Sequence, residues 1–131
     1  MNRLLISVVC MASLTWLVLL IASVIRVKGW TSRGLLLAFG NRDNLPEPTA
    51  FAGRAERAAR NTLENFVLFA ALALVAQAAG AVNERVIFGA NLFLWARIIY
   101  IPVYFAGIAF VRTAVWTASI VGLGIMLQGM L

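Results

Sequence analysis

Residues 54–80 read RAERAARNTLENFVLFAALALVAQAAG, and the way this stretch divides decides the fold. Its first part carries Arg57, Arg60, Asn61, Glu64 and Asn65, and the remainder is apolar apart from Gln77. Alanine, leucine, glutamate and arginine are strong helix formers, so the stretch reads as one helix that begins near Phe51 to Arg54 and stops at Gly80. An apolar run of this length belongs in bilayer hydrocarbon, where a central charge costs about 2.5 to 3.5 kcal/mol. Polar groups kept at such depth are the first candidates for a site. Positions 57, 61 and 64 fall on one face of a helix, with Arg60 beside it.

Outward from this helix the chain repeats the apolar theme. Leu4 to Ile25 carries no charge and exceeds the roughly 20 residues that span a hydrocarbon core. It ends at Arg26, Lys28 and Trp30, residue types that belong at the head-group level. From there to about Gly53 the glycines, Pro46, Pro48 and the cluster Asn41-Arg42-Asp43-Asn44 read as a loop, with a short amphipathic turn at Leu35 to Phe39. Asn83 is placed to cap a third helix that carries Asn91, Arg97 and Pro102 and extends to about Val111. Arg112-Thr113 reads as a short connection to a last apolar run ending at Leu131. The expected fold is an all-α membrane protein in one domain, residues 1–131. Its four transmembrane helices, at about 4–26, 52–80, 84–111 and 113–131, form an antiparallel bundle, with a loop at about 27–51.

Composition supports the same class. The chain is 63 % hydrophobic and 12 % charged, whereas a soluble domain carries roughly a quarter charged residues. Apolar segments recur to the last residue, so the first is read as a retained span and not as a cleaved leader. The net charge of +6 argues for topology and not for nucleic acid, because Arg26, Lys28, Arg33, Arg42, Arg54, Arg57 and Arg112 share one side of the bundle while Arg3 and Arg85 share the other. That asymmetry predicts a cytoplasmic first loop and two extracytoplasmic termini. No histidine is present, which makes a metal site or Ser-His chemistry a poor reading. The single cysteine, Cys10, excludes a disulfide framework and reads as a buried, inert thiol.

A second ordered stripe, Arg97-x-x-Tyr100-x-x-x-Tyr104, lies on the third helix. At about 1.5 Å per residue, Glu64 lies roughly 10 Å inside Arg57, Tyr104 roughly 12 Å inside Arg112, and Arg97 roughly 22 Å. The two stripes therefore overlap in depth. Glu64, the one acidic residue embedded in a span, is the most attractive partner for Arg97. On one reading this pair and the asparagines are struts, with interhelical hydrogen bonds of about 0.6 to 2 kcal/mol each. On another, the surplus cations at the cleft mouth take an anionic ligand. A third, in which Glu64 and Arg97 form a proton or solute path, is opposed by the lack of broken, inverted-repeat helices.

At these residues the sequence resembles the MAPEG family, the membrane-associated proteins of eicosanoid and glutathione metabolism, over nearly the whole chain. The resemblance is carried by Glu56-Arg57-x-x-x-Asn61-x-x-Glu64-Asn65 and by Arg97-x-x-Tyr100-x-x-x-Tyr104-x-x-Gly107 followed by Arg112-Thr113. It implies a homotrimer with glutathione as co-substrate between subunits. Arg57, Asn61, Glu64, Arg97, Tyr100 and Tyr104 would be among its contacts, with Arg33 from the first loop, and Arg112 and Tyr104 would act on its thiolate. The sequence departs from the well-studied mammalian transferases in having Asn65 where an aromatic residue is frequent, and in its longer, Pro-containing first loop.

The ligand's chemistry matches the residue types. Glutathione has two carboxylates for Arg57 and Arg33 and one ammonium for Glu64, with Asn61 as a neutral orienting group. The second substrate implied is a lipophilic electrophile or a lipid hydroperoxide arriving from the membrane lipid, and the activity implied is that of a transferase or peroxidase. The alternative is a non-catalytic protein of the same fold whose polar cluster is structural.

Overall fold

Asn2, Thr31, Thr49 and Asn83 punctuate the chain: each side chain accepts a hydrogen bond from a backbone N–H, of Leu5, Gly34, Ala52 and Val86 in turn. Such a cap satisfies a donor that the first helical turn leaves unpaired. In the computed structural model, which describes residues 1–131, these caps open α1 (Arg3–Val27), α2 (Ser32–Phe39), α3 (Ala50–Ala78) and α4 (Glu84–Ala106), and α5 (Ala109–Met130) follows. There are no strands. Helices α1, α3, α4 and α5 are long and apolar enough to cross a membrane.

Two connections differ from the sequence reading. The first loop contains a two-turn helix, α2, that begins at Ser32 and not a mere turn from Leu35. Thr31 caps it, and Gly34 seats directly on the carbonyls of Val27 and Lys28, where any Cβ would collide with backbone. The second difference lies between α4 and α5. The reading carries the third helix to Val111, but the chain turns at Gly107, whose φ of 77° is left-handed and whose N–H bonds back to the Tyr104 carbonyl. Glycine enters that region without steric cost and so ends the helix. Arg112 then sits in the first turns of α5, its N–H bonded to the Ile108 carbonyl at 3.1 Å. Cys10 also differs, being exposed on the outer side of α1.

Lipid-facing side chains gain little by exchanging lipid for protein, so membrane helices associate through close packing and interhelical hydrogen bonds. Both are present. The Asn2 amide donates to the Gln77 side chain at one end of the α1–α3 pair, and Arg26 pairs with Glu56 at 3.2 Å at the other, so the two helices run antiparallel. Ser7 donates to Asn91 at 3.4 Å and ties α1 to α4. The core between these helices is built on Leu4, Met11, Phe69, Phe93 and Met126, with Phe69 and Phe93 stacked 4.6 Å apart.

Among the four spanning helices, α4 and α5 cross with their backbones in close approach. A Cβ at Gly89 would lie 2.6 Å from the Gly122 carbonyl oxygen, and one at Gly122 would lie 2.8 Å from that of Gly89. Neither backbone has a flexible side chain to yield. Gly89→Val is therefore expected to force the helices apart and to lower stability by about 1 to 3 kcal/mol. Thermal unfolding in detergent checks this, and an unchanged midpoint would contradict the close crossing. Gly124, with open space around it, accepts the same change without loss.

Candidate functional site

The site grows from the buried stripe of α3. Ala55, Ala58, Thr62, Asn65 and Phe69 are all buried, and the small side chains among them let α4 approach closely. Opposite them stands Arg97, the largest fully buried side chain of the chain, at 0 % exposure. One terminal nitrogen of its guanidinium donates to both the Asn61 Oδ1 at 3.0 Å and the Thr62 Oγ1 at 2.9 Å. Its plane lies over the Tyr100 ring, 4.0 Å from the centroid. Its Nε and its other terminal nitrogen are buried and have no partner.

Glu64 is not the partner of Arg97. The chain's one ion pair is Arg26–Glu56, and Glu64 lies exposed on α3. Helix phase explains this. Thr62 faces α4, and a residue two positions on is turned about 200° around the axis, so Glu64 faces outward. Arg97 is compensated by neutral oxygens and an aromatic face instead of a carboxylate.

This arrangement fixes Asn61. Its Oδ1 accepts from Arg97 and, at 3.3 Å, from the Asn65 amide, which also donates to the Asn61 backbone carbonyl at 2.8 Å. An amide whose oxygen is occupied by donors presents its NH₂ elsewhere. Asn61, half buried, thus offers two N–H donors and no free acceptor face.

One turn towards the C-terminal end of α4, Tyr100 meets Tyr104 edge to face, with centroids 5.4 Å apart. Both pack on Ala58. Arg57 Nε donates to the Tyr104 hydroxyl at 3.2 Å, and the Arg112 guanidinium lies over the Tyr104 ring at 4.8 Å. Because that hydroxyl accepts from Arg57, its own proton remains available for donation. Arg54 secures the corner: its Nε donates to the Phe105 carbonyl at 3.0 Å, one of the acceptors that the last turn of α4 leaves open. Arg54, Arg57 and Arg112 have no carboxylate partner, so this end of the bundle is strongly electropositive.

The chain therefore brings together Arg57, Asn61, Arg97, Tyr100, Tyr104 and Arg112. It does not bring Arg33 or Glu64 to them. Helix α2 packs on α1 alone, and Arg33 opens into a separate cavity of about 430 Å³ with Arg26, Lys28, Thr31 and Glu47. Arg97 has no exposed atom to present and acts on its surroundings through Asn61 and Tyr100.

Sequence reasoning missed Thr62 and Arg54. Thr62 shares the spacing 55, 58, 62, 65, 69 of small and polar residues, a stripe offset by one position from 57, 61, 64. That offset was the available signal. Arg54 carried none beyond its charge.

Neither the curated proteins nor the solved structures provide a match. The chain does match the MAPEG family, over residues 4–131, which is essentially its whole length and takes in every residue of the cluster. By that match the chain belongs to the MAPEG family.

Proposed function

We propose that this protein is a membrane-bound, glutathione-dependent transferase or peroxidase acting on lipophilic electrophiles or lipid hydroperoxides. The observation that carries the proposal is the fixed Asn61 amide beside the uncompensated Arg57–Tyr104–Arg112 cluster. Three kinds of group converge there: guanidinium, neutral amide donor and phenol. They fit a ligand with carboxylates, peptide carbonyls and a thiol.

Glutathione would supply the thiol nucleophile. Arg57 holds a carboxylate by charge-assisted hydrogen bonds, and the Asn61 NH₂ donates to a carbonyl or carboxylate oxygen. Arg112 stabilises the thiolate, with the Tyr104 hydroxyl as second donor. Arg97 is a positioning residue that acts through Asn61. The remaining walls at this depth are apolar and admit a substrate from the bilayer.

Arg33 and Glu64 complete the site from neighbouring copies in a homotrimer. Two observations support this. Arg33 lies on α2, away from Arg57 within one chain, and Glu64 occupies an exposed face of α3 beside Leu63, Val67 and Leu68. A carboxylate turned towards hydrocarbon is expensive, whereas a subunit interface holding an ammonium would satisfy it. The seven cations at the cluster's end of the bundle support a cytoplasmic side for that end and an extracytoplasmic side for both termini.

Arg57→Ala in detergent-solubilised protein is expected to weaken glutathione binding about tenfold to a hundredfold by calorimetry, the loss of one charge-assisted pair. Equal affinity in the variant would remove Arg57 from the site. No binding by either protein at millimolar glutathione would favour a non-catalytic member of the family with a structural cluster.

A further inference from the structure

Glu64 does not meet the neighbouring copy alone. Arg60 precedes it by four residues and so shares its face of α3, one turn nearer the cytoplasmic end and about 5 to 6 Å away between Cβ atoms. The two are opposite in charge and suitably spaced, yet they do not pair; the chain's one ion pair is Arg26–Glu56. Arg60 and Glu64 are both exposed, and neither has a charged partner within the chain. Both side chains are left for something outside their own copy.

Arg60 also lines a groove of about 430 Å³ on the outer side of the α1–α3 pair, with Ser23 and Arg26 of α1, Glu56 and Leu63 of α3, and Arg42 from the loop after α2. Glu56 neutralises Arg26 at 3.2 Å. Arg42 is held in place without being neutralised. Its backbone is left-handed, with φ of 62°, a conformation uncommon for a residue other than glycine. One of its terminal nitrogens donates to the Ser23 hydroxyl at 3.0 Å, which uses one of five guanidinium donors. Measured inward from the Arg26–Glu56 pair, Ser23 lies about 4.5 Å and Arg60 about 6 Å along its helix. Two free guanidiniums therefore stand at one level, next to Glu64.

The copy that receives Glu64 brings its own surplus of positive charge, because its Arg57 and Arg112 have no carboxylate partner. Like charges brought together across an interface oppose its closure unless an anion lies between them. The γ-glutamyl end of glutathione carries an ammonium and a carboxylate on the same carbon. A carboxylate and a guanidinium one turn apart on a helix face match that pair of charges, acid to ammonium and guanidinium to carboxylate. Resting on the glutathione reading proposed above, we infer that Arg42 and Arg60 bind the γ-glutamyl α-carboxylate of a glutathione seated in the neighbouring copy's cluster, beside Glu64 on its ammonium. The planar guanidinium fork meets both oxygens of a carboxylate, which suits arginine better than lysine. The glycine carboxylate at the other end of the ligand is left to Arg57 and Arg33.

The test compares glutathione with 4-aminobutanoyl-cysteinylglycine, the same peptide without that α-carboxylate, by calorimetry on the full chain reconstituted in lipid. Wild-type protein is expected to prefer glutathione about tenfold to a hundredfold, the range of a charge-assisted hydrogen-bonded pair. Arg42→Gln/Arg60→Gln is expected to bind both peptides alike, with the affinity that the wild type has for the shorter one. Arg33→Gln is expected to weaken both and keep the preference, because both peptides retain the glycine carboxylate. Mixing copies that carry Arg57→Ala with copies that carry Arg42→Gln/Arg60→Gln is expected to restore about one wild-type site in four, the chance that an intact cluster meets an intact groove across a head-to-tail interface. A preference undiminished in the double variant, or no restored sites on mixing, would overturn the inference and leave the glutathione reading standing. Failure of the wild type to bind either peptide would overturn both.

Discussion

Arg112→Ala is expected to remove most of the thiolate from bound glutathione. A free thiol has a pKa of about 8.5 and is ionised to only a few per cent at pH 7. Lowering that value by two units takes about 2.7 kcal/mol of preferential thiolate stabilisation, which one guanidinium in a partly dry cleft supplies. Removing it returns the thiol to its ordinary range and cuts the ionised fraction at pH 7 roughly 25-fold. The sign with pH follows. The lowered thiol keeps its thiolate down to about pH 6.5 in the wild type, and the variant regains it only above about pH 8.5. Ultraviolet titration of the bound thiolate reads both, and coincident curves would take Arg112 out of this role. Arg112 lies over the Tyr104 ring on the first turns of α5, so its loss leaves the α4–α5 crossing at Gly89 and Gly122 intact.

Arg97 gives the second large effect, and two substitutions separate its two roles. Arg97→Ala leaves a cavity where the largest fully buried side chain stood, and is expected to destabilise the protein by about 2 to 5 kcal/mol. Arg97→Met keeps most of the volume and removes a buried charge with two unpartnered nitrogens. Replacing buried charge by apolar volume is often neutral for stability, so this variant is expected to fold with an almost unchanged unfolding midpoint. It nonetheless takes the shorter of two hydrogen bonds from the Asn61 Oδ1 and leaves only the one from Asn65 at 3.3 Å, so the amide is no longer held to present its donors outward. Glutathione affinity is expected to fall about tenfold to a hundredfold, the cost of one misdirected hydrogen bond in a dry site. Arg97→Lys is not expected to restore it, because an ammonium has no planar face to stack on Tyr100 and so is not held where the one terminal nitrogen meets both Asn61 and Thr62. Full affinity in Arg97→Met would reduce Arg97 to a strut.

These two arginines also show where the sequence can be read and where it cannot. Four apolar runs announce four membrane-spanning helices of an integral multi-pass membrane protein, and the motifs of the second and third runs announce the family. Length and hydropathy are one-dimensional and survive translation into structure. Asn83 as a cap is of the same kind, because the cap and the N–H it satisfies are three residues apart. Helix phase is different. In a soluble helix an apolar stripe shows which side faces in, but here nearly every face of α4 is apolar, and the one local sign that Thr62 and not Glu64 meets Arg97 is the offset stripe of small and polar residues on α3. Opposite charge pointed to Glu64, and geometry chose neutral oxygens.

The ends of elements were misread for a related reason. Arg112 looked like the boundary because charges mark membrane surfaces, but the turn belongs to Gly107, where a left-handed backbone was needed. Helix α2 depends on Gly34 resting against the end of α1, a contact no periodicity announces. Arg42 reaches Ser23 across 19 positions of sequence by a left-handed turn of its own.

On the proposed reading, glutathione's carboxylates, amides and thiol account for the cluster's residue types, and the positioned Asn61 amide accounts for Arg97. The most direct test is calorimetric titration of the wild-type protein, reconstituted in lipid, with glutathione, followed by the ultraviolet spectrum of the complex. Saturable binding accompanied by thiolate absorbance at pH 7 is the predicted result; heat that never exceeds the dilution control at millimolar glutathione, with no thiolate band, would contradict it.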